Sequence, residues 1–252
     1  MGQNSNVRTI DNQVISLDIE DVEPDELHAW TGHIRYTPRY GGRETTSDVW
    51  ALELAPKSAL AVGVTSVRGR ERERFALGGG EVVIYDCEDP SDARWATWLG
   101  PWNMAHGLFY APTWESRDVV AMFDRLQWTD TPEGLIATPG RRFNLQQAVY
   151  LLTVAGVGTL QVESRRLAGE QVPRFRGFSA PAGEVWRVPS TDGPERETLL
   201  MVTDSAVITV NPWDAPRKGL EAPKGVAARS DAGTPEAAAQ FLTKVKRVSW
   251  GA

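Results

Sequence analysis

Eleven short runs of β-branched and aromatic residues, each bounded by turn residues, constrain the fold of this chain more than any other feature of its sequence. Runs this short and this frequent are typical of antiparallel sheets and not of alternating strand–helix units. They predict a mainly β (β-rich α+β) fold of antiparallel sheets or a β-sandwich, with a few short helices and extended terminal arms. The predicted strands are 14–19, 49–55, 59–67, 81–87, 107–111, 134–139, 148–155, 158–164, 184–190, 197–203 and 206–212. The last two are expected to form a hairpin with Asp204 and Ser205 at its turn.

Three segments carry helical signals, so we expect at most three or four helices. Segment 89–101 begins with Asp89 and Pro90, a favourable N-cap and first helical residue, and it ends at a Gly-Pro pair. Segment 116–126 places its apolar residues at helical spacing. Segment 234–248 starts with Thr-Pro and has an acidic first turn and a basic last turn, which suit the helix dipole.

The expected division of the chain follows its changes in composition. The N-terminal residues are polar and weakly patterned, and the stretch between Pro212 and Thr234 is rich in Pro, Gly, Ala and charge without periodicity. We therefore expect an N-terminal arm at 1–25, a β-rich subdomain with two short helices at 26–139, a β-sandwich-like subdomain at 140–213, and a linker with a C-terminal helix arm at 214–252.

Residues 94–114, RWATWLGPWNMAHGLFYAPTW, include six aromatic side chains, which either form a core or present a platform for a flat ligand. In the predicted helix, Trp95 and Trp98 fall on one side, and in the next strand Leu108 and Tyr110 alternate with Phe109. A core accounts for most of these aromatics. The expected core residues are Trp50, Leu52, Val83, Tyr85, Trp95, Trp98, Phe109, Val120, Phe123, Leu151, Val154, Leu160, Val185, Leu200 and Val207.

Four tryptophans lie where loops or chain ends are expected, and these are the candidates for contact with a partner. Exposed tryptophans are costly and are favoured as interface anchors or stacking platforms. The candidates are Trp102, Trp114, Trp213 and Trp250.

The predicted C-terminal helix has an apolar stripe that must be covered by something. A helix of about fifteen residues is marginal in water by itself, so it should order only when the stripe docks. The linker of about twenty residues reaches the chain's own body or a neighbouring subunit equally well. We expect the arm to act in assembly. The stripe consists of Ala238, Phe241, Leu242, Val245 and Val248. The residues of this arm that we expect at an interface are Phe241, Leu242, Val245 and Trp250.

Composition sets limits on the partners and location of the chain. The 27 basic and 33 acidic residues give a net charge of −6, which provides no chain-wide attraction to nucleic acid or anionic membranes. No segment approaches the ~20 apolar residues that span a bilayer, and the N-terminal residues lack the apolar run of a signal peptide. We therefore expect no nucleic-acid partner, no membrane insertion and no secretion by the usual N-terminal route.

Residues that usually carry chemistry are sparse in this sequence. The single cysteine, Cys87, is expected to be a small, partly buried hydrophobe, because no histidine partner is evident. His28 and His33 are five residues apart, which fits no zinc motif, and His106 stands alone. No nucleophile elbow is present. We therefore expect a non-enzymatic protein with no catalytic residues and no need for a metal or redox cofactor.

Three charged or glycine-rich stretches have structural and functional interpretations. The glycines at 78–80 lead into a strand, which favours a hairpin turn over a phosphate cradle. The Arg/Glu alternation at 67–75 is either a basic edge ribbon or a solvated arm that resists edge pairing. The acidic run at 18–26 is expected to be a solvated loop or helix cap, with a hard-cation site as the alternative.

Residues 119–143, VVAMFDRLQWTDTPEGLIATPGRRF, are preceded by FYAPTWESRD and followed by a strand-rich half that ends SAVITVNPW. In its Trp-rich β segments and its DTPEGL turn, this pattern resembles minor tail and other virion structural proteins of long-tailed phages of actinobacterial hosts. The resemblance implies a non-enzymatic structural subunit of a virion tail or tail tip, made in the host cytoplasm. Its partners would be copies of itself and neighbouring virion subunits, and a host-surface glycan is a further candidate ligand.

Two other functions are compatible with the residues. The first is a carbohydrate-binding β-sandwich module, in which Trp102, Trp114 or Trp213 stacks on sugar rings. The second is a cytosolic hydrolase of a type that carries no recognisable motif.

Overall fold

The fold is seen in a computed structural model that describes residues 2–40, 43–44, 50–88, 91–110, 114–140, 143–168, 172–190, 193–212 and 233–251. The strands of these residues are β1 (Gly2–Arg8), β2 (Val14–Glu20), β3 (Thr31–Tyr40), β4 (Arg43–Glu44), β5 (Trp50–Pro56), β6 (Arg70–Leu77), β7 (Gly80–Asp86), β8 (Ala93–Leu99), β9 (Asn103–Tyr110), β10 (Leu126–Thr131), β11 (Gly134–Pro139), β12 (Phe143–Val154), β13 (Gly158–Ser164), β14 (Phe178–Ala180), β15 (Gly183–Ser190), β16 (Gly193–Val202), β17 (Ala206–Asn211) and β18 (Val245–Gly251).

Helices are few and short in the described part of the chain. The α-helices are α1 (Leu60–Ser66), α2 (Ser116–Phe123), α3 (Arg165–Ala168) and α4 (Pro235–Lys244), and single 3₁₀ turns lie at Pro24–Glu26 and Lys57–Ala59. None of these helices is long and apolar enough to cross a membrane. The sheets are built from antiparallel neighbours, including the hairpins β6–β7, β8–β9 and β16–β17. The predicted mainly β, antiparallel fold is confirmed.

The chain forms two compact units, and each is made of more than one stretch of sequence. The central unit comprises 8–13 and 31–148, and the terminal unit comprises 1–7, 14–30 and 149–252. This division differs from the four consecutive segments expected from composition. The N-terminal residues expected as a separate arm form strands β1 and β2.

The central unit is built on a sheet with strand order β3-β5-β9-β8-β7-β6, in which β4 also pairs with β3. One face of this sheet, which we call the inner face, packs against α2 and the β10–β11 hairpin. Trp50 and Phe109 contact Phe123 of α2, with ring centroids 5.4 and 6.2 Å apart. Trp98 stacks on Trp128 of β10 at 4.8 Å. Large aromatic side chains therefore supply much of this core.

The outer face of the same sheet is covered over part of its area by α1 and the turn before it. Tyr85, Trp95 and Met104 are buried there, packed against Leu60 and Val64 of α1. Farther along β9, the outward side chains of Leu108 and Tyr110 are exposed. The sheet is thus buried on one face and only partly covered on the other.

Strand β6 lies at one end of the central sheet and carries the Arg/Glu alternation. A bulge between Glu71 and Glu73 places Glu71 and Arg74 on the same face, where their side chains form an ion pair of 2.8 Å. These exposed, paired charges are typical of a solvated edge that resists further strand pairing. The turn into β7 contains Gly78 and Gly79, both at positive φ, as a tight hairpin requires. The predicted glycine hairpin is confirmed.

The terminal unit contains a sheet of order β14-β15-β16-β17-β13-β12 and a second sheet of order β1-β2-β18. The predicted hairpin with Asp204 and Ser205 at its turn is present, because Val202 pairs with Val207 across it. Its core is mainly aliphatic and includes Leu160, Val185 and Leu200.

The C-terminal segment differs from the expected helix arm that docks on a neighbouring subunit in two respects. First, helix α4 ends at Lys244, and Val245 to Gly251 form β18, which pairs with β2. Second, the apolar stripe is covered within the terminal unit. Thr234 caps α4 as predicted, since its hydroxyl accepts a 3.1 Å hydrogen bond from the amide of Ala237. The buried stripe residues are Ala238, Phe241, Leu242, Val245 and Val248.

Two secondary-structure predictions are wrong. Ala93–Leu99, within the helix predicted at 89–101, forms strand β8, and Asp89 and Pro90 lie outside the described residues. Both faces of β8 are buried, which removes the alternation that identifies a strand. Residues 59–67, predicted as a strand, contain helix α1, because a short apolar run fits either structure.

The expected core is largely confirmed. Thirteen of the fifteen residues named above are buried, and Val120 and Leu151 are half-buried. In α2 the inward side chains are Val119, Met122 and Phe123, so Val120 lies to one side. In β12 the alternate residues Leu152 and Val154 point to the core, which places Leu151 on the other face.

Candidate functional site

The turn between β8 and β9 presents the most exposed described tryptophan of the chain, Trp102, with 50% of its surface accessible. This turn, Gly100 to Asn103, is held by the carboxylate of Asp130 on β10. Asp130 Oδ2 accepts hydrogen bonds from the amides of Trp102 and Asn103, at 2.7 and 3.1 Å. Asp130 Oδ1 accepts a third, of 2.6 Å, from the side-chain amide of Asn103. One carboxylate therefore fixes the backbone that carries the exposed indole.

Two further contacts restrict the Trp102 turn. The carbonyl of Trp102 accepts a 2.8 Å hydrogen bond from the amide of Lys57. A Cβ atom at Gly100 would lie 2.1 Å from Asp130 Oδ2, so only glycine lets the carboxylate approach this closely. The indole is thus displayed on a rigid support, which lowers the entropy cost of binding a flat ligand.

A shallow groove of about 520 Å³ lies at the same turn. Pro101 and Leu99 contribute apolar surface, and Lys57, Arg74 and Glu81 contribute charged groups. The ion pairs of Arg74 with Glu71 and Glu81 raise the pKa of its guanidinium and hold it charged. The groove offers both donors and acceptors at the turn that carries the exposed indole.

A second exposed surface lies on the outer face of the central sheet, along β9. Its apolar members are Leu108 and Tyr110, with 43% and 56% of their surface accessible. On strands β5 and β3, exposed Ala51, Glu53 and Arg35 belong to the same face. We call these five residues the β9 surface. It combines an apolar centre with charged neighbours.

His106 lies at the buried margin of the β9 surface. Its Nδ1 accepts a 3.1 Å hydrogen bond from the indole N–H of Trp95, so the neutral ring carries its proton on Nε2. That nitrogen lies 3.7 Å from the carboxylate of Glu53. Burial lowers the pKa of His106, and the negative charge of Glu53 opposes this shift. Protonation at Nδ1 would break the bond to Trp95, so the neutral form fits this arrangement.

The other predicted site residues are placed differently. Trp114 is half-buried and packs edge-on against Phe109, with centroids 5.4 Å apart. Trp250 is buried in the terminal unit against Tyr150, 5.7 Å away. Trp213 lies outside the described residues. Phe241, Leu242 and Val245, predicted as contacts to a neighbouring subunit, are buried within the terminal unit instead.

The residues considered for chemistry are dispersed. Cys87 packs, as expected, in the apolar cluster with Tyr85 and Trp95, and burial raises the pKa of its thiol. In the described part of the chain, no group of three or more His, Cys, Asp or Glu residues is arranged to hold a metal ion. Within the acidic run, Glu23 and Glu26 cap the 3₁₀ turn at Pro24–Glu26, and Glu20 pairs with Lys246 at 2.6 Å.

The exposure of Trp102 was predicted from the sequence, whereas its support by Asp130 and the β9 surface were not. Asp130 is nearly thirty residues from the turn it holds, and no local pattern connects the two. The alternation Leu108, Phe109, Tyr110 did contain a usable signal. It separates an inward Phe109 from two outward neighbours, and the structure shows that the outward pair is exposed.

No protein-family model, curated protein or solved structure matches the chain. Its function is therefore inferred from these surfaces.

Proposed function

We propose that the protein is a non-enzymatic structural subunit of a phage virion, in the tail or tail tip, made in the host cytoplasm. It acts through contacts with copies of itself and with neighbouring virion subunits. The observation that supports this proposal best is the β9 surface. The resemblance of residues 109–143 and the strand-rich half that follows them to virion tail proteins gives the proposal its biological setting.

The position of Leu108 and Tyr110 favours an interface. Strand β9 lies inside the central sheet, between β5 and β8, and its inner side chain Phe109 is buried. Helix α1 covers part of the outer face of this sheet, and Leu108 and Tyr110 lie on the part that stays exposed. Adjacent exposed apolar side chains on an interior strand are typical of a face that a partner covers.

The residues around this pair resemble the margin of an interface. Protein interfaces commonly have an apolar centre, often with tyrosine, and a polar rim. Arg35 and Glu53 supply opposite charges on the neighbouring strands. Opposite charges on one surface allow a second copy to pair through a symmetric contact, in which each residue meets its complement.

The test is the self-association of Leu108→Glu/Tyr110→Glu, measured by sedimentation velocity over a concentration series. The wild type should form a discrete oligomer, and the double variant should remain a monomer because two carboxylates would be buried in the contact. The matched control is Gln127→Glu/Thr129→Glu, which adds two carboxylates at the same spacing on an exposed side of β10. The control should associate as the wild type does.

Either of two outcomes would refute the assembly role of the β9 surface. One is a wild-type chain that stays monomeric at every concentration tested and also does not bind to partially assembled phage tails. The other is a double variant that assembles normally. Electron microscopy of phage particles with an antibody against the chain tests its place in the virion.

A second function, carbohydrate binding, is supported by the Trp102 turn. A half-exposed indole on a hydrogen-bonded turn, whose Gly100 and Pro101 border a groove with charged side chains, suits stacking on a sugar ring with hydrogen bonds to its hydroxyls. A glycan array should show binding by the wild type, and Trp102→Ala should abolish it. Trp102→Phe should retain part of the affinity because it keeps an aromatic face. Binding unaffected by Trp102→Ala would exclude this site.

A further inference from the structure

The terminal unit contains a groove of about 600 Å³ that none of the predicted site residues lines. Three arginines border it, Arg165, Arg174 and Arg176, together with the exposed ring of Phe175. Phe175 has 66% of its surface accessible, the largest fraction among the exposed large apolar side chains of the described residues. An exposed phenyl ring between two exposed arginines leaves an aromatic face and two positive charges accessible to a ligand.

The backbone that displays Phe175 is held at two points. Its carbonyl accepts a 2.7 Å hydrogen bond from the indole N–H of Trp186, whose ring is buried. Two residues later, the amide of Gly177 donates a 2.6 Å hydrogen bond to the carboxylate of Glu184. A Cβ atom at Gly177 would lie 2.3 Å from the carbonyl oxygen of Val185, so this close approach requires glycine. The segment is therefore organised before any ligand binds.

Arg165 is also held in place. Its backbone amide donates to the carbonyl of Ser205 at 2.9 Å, and its guanidinium donates to the carbonyl of Thr203 at 3.0 Å. A guanidinium has five N–H donors, so one such bond leaves most of its donors for a ligand. The groove thus has one positioned arginine and two on the Phe175 segment.

The charges of the groove distinguish between classes of anion. Glu184 and Asp204 also line it, so the groove is not uniformly positive. Two carboxylates would repel a continuous polyphosphate such as nucleic acid, which carries a charge at every phosphate. They would instead accept hydrogen bonds from hydroxyl groups. Arginines for an acidic group, carboxylates for hydroxyls and a ring for stacking together match an acidic sugar.

We propose that this arginine groove binds a glycan that carries carboxylate groups. The acidic group pairs with Arg174 and Arg176, one sugar face stacks on Phe175, and hydroxyls meet Glu184 and Asp204. The site belongs to the terminal unit and does not depend on the Trp102 turn or on the assembly role of the β9 surface.

The experiment uses the full chain and the trimer of α-1,4-linked galacturonate as the probe, followed by calorimetry. The wild type should bind the trimer. The methyl ester of the trimer, which keeps the rings but loses the charge, should bind at least about tenfold more weakly. Arg174→Ala/Arg176→Ala and Phe175→Ala should each lower the affinity for the trimer to a similar degree. These side chains are exposed, so the variants should keep the wild-type thermal unfolding midpoint.

The matched control is Arg187→Ala, which removes an exposed arginine of the same unit that pairs with Glu197 at 3.2 Å outside the groove. It should bind the trimer as the wild type does. The proposal is overturned if the wild type does not bind the trimer, or if the ester binds equally well. It is also overturned if tripolyphosphate, oligothymidylate or a polyglutamate peptide binds as tightly, because the groove would then select charge alone.

Discussion

The two faces of the central sheet carry similar residue types and meet different surroundings. On the inner face, Trp98 is 1% exposed, stacks on Trp128 and donates a hydrogen bond to the carbonyl of Leu77. On the outer face, Tyr110 is 56% exposed and Leu108 lies beside it. Aromatic content alone therefore does not separate core from surface in this protein. The layer that covers each position makes the difference.

This comparison shows where binding energy is available. An aromatic ring buried within its own unit has already lost its contact with water, so it contributes to folding. An aromatic ring that stays exposed in the folded chain can still be removed from water by a partner, so it contributes to the free energy of binding. On this basis Trp98 is a stability residue, and Trp102 and Tyr110 are contact residues. The following variants test that distinction, from the largest effect on stability to the smallest.

Trp98→Ala should lower the free energy of unfolding by about 3–5 kcal/mol, because it removes a large buried ring and leaves a cavity. It also deprives the carbonyl of Leu77 of its indole partner. Urea denaturation followed by circular dichroism measures the change, with Trp102→Ala as the control of equal size. Equal stability of the two variants would show that the inner face is not the core described above.

Asp130→Ala should lower the free energy of unfolding by about 1–3 kcal/mol, since it leaves the amides of Trp102 and Asn103 without their acceptor. The loss of the hydrogen bonds that Asp130 accepts from the Trp102 turn should also weaken glycan binding by Trp102, although the indole itself is still present. Glu133→Ala, which removes a nearby exposed carboxylate, serves as the control. A fully stable Asp130→Ala protein with unchanged glycan binding would show that Asp130 does not hold the Trp102 turn.

His106 should make stability depend on pH in a definite direction. Its pKa is lowered in the folded chain, so between the folded value and the ordinary value of about 6.5 the unfolded chain binds more protons. The stabilisation is fully present above the ordinary value and is lost as pH falls through that range. His106→Gln removes the titrating group, so urea midpoints at about pH 7.5 and 5.5 should differ less than in the wild type. An identical pH dependence would rule out this contribution.

Tyr110→Ser should change the free energy of unfolding of the isolated chain by no more than about 0.5 kcal/mol, as is usual for exposed positions. Its effect should instead fall on self-association, where a tyrosine at the centre of a contact is often important. Thermal unfolding and sedimentation velocity on the same sample separate the two. A loss of stability comparable to that of Trp98→Ala would mean that the ring is covered within the monomer.

Much of the fold could be predicted from local pattern, and the failures have a common cause. Turn-bounded runs of β-branched and aromatic residues identified β2, β5 and most later strands, because strand propensity and turn signals are both local. Strand β8 was mistaken for a helix because both of its faces are buried, so its apolar residues show no period of two. Helix α1 was mistaken for a strand because its short apolar run has no decisive period either.

The candidate site was predicted only in part. The exposure of Trp102 followed from its place after a Gly-Pro turn, which is local information. The role of Asp130 depends on a hydrogen bond between strands far apart in sequence. The arginine groove likewise joins α3 to the segment before β14 and to the β16–β17 turn. Such assemblies form only when the sheets have folded.

The sequence by itself determined the antiparallel β class, the glycine and Asp-Ser hairpins, the Thr234 helix cap and the residues of the core, because each depends on neighbours within a few positions. The tertiary structure decided which aromatic side chains remain exposed and how the C-terminal stripe is covered. The stripe could have docked on another subunit as far as linker length was concerned. It packs within the terminal unit because β18 pairs with β2 there, and that pairing buries Val245, Val248 and Trp250 together with α4.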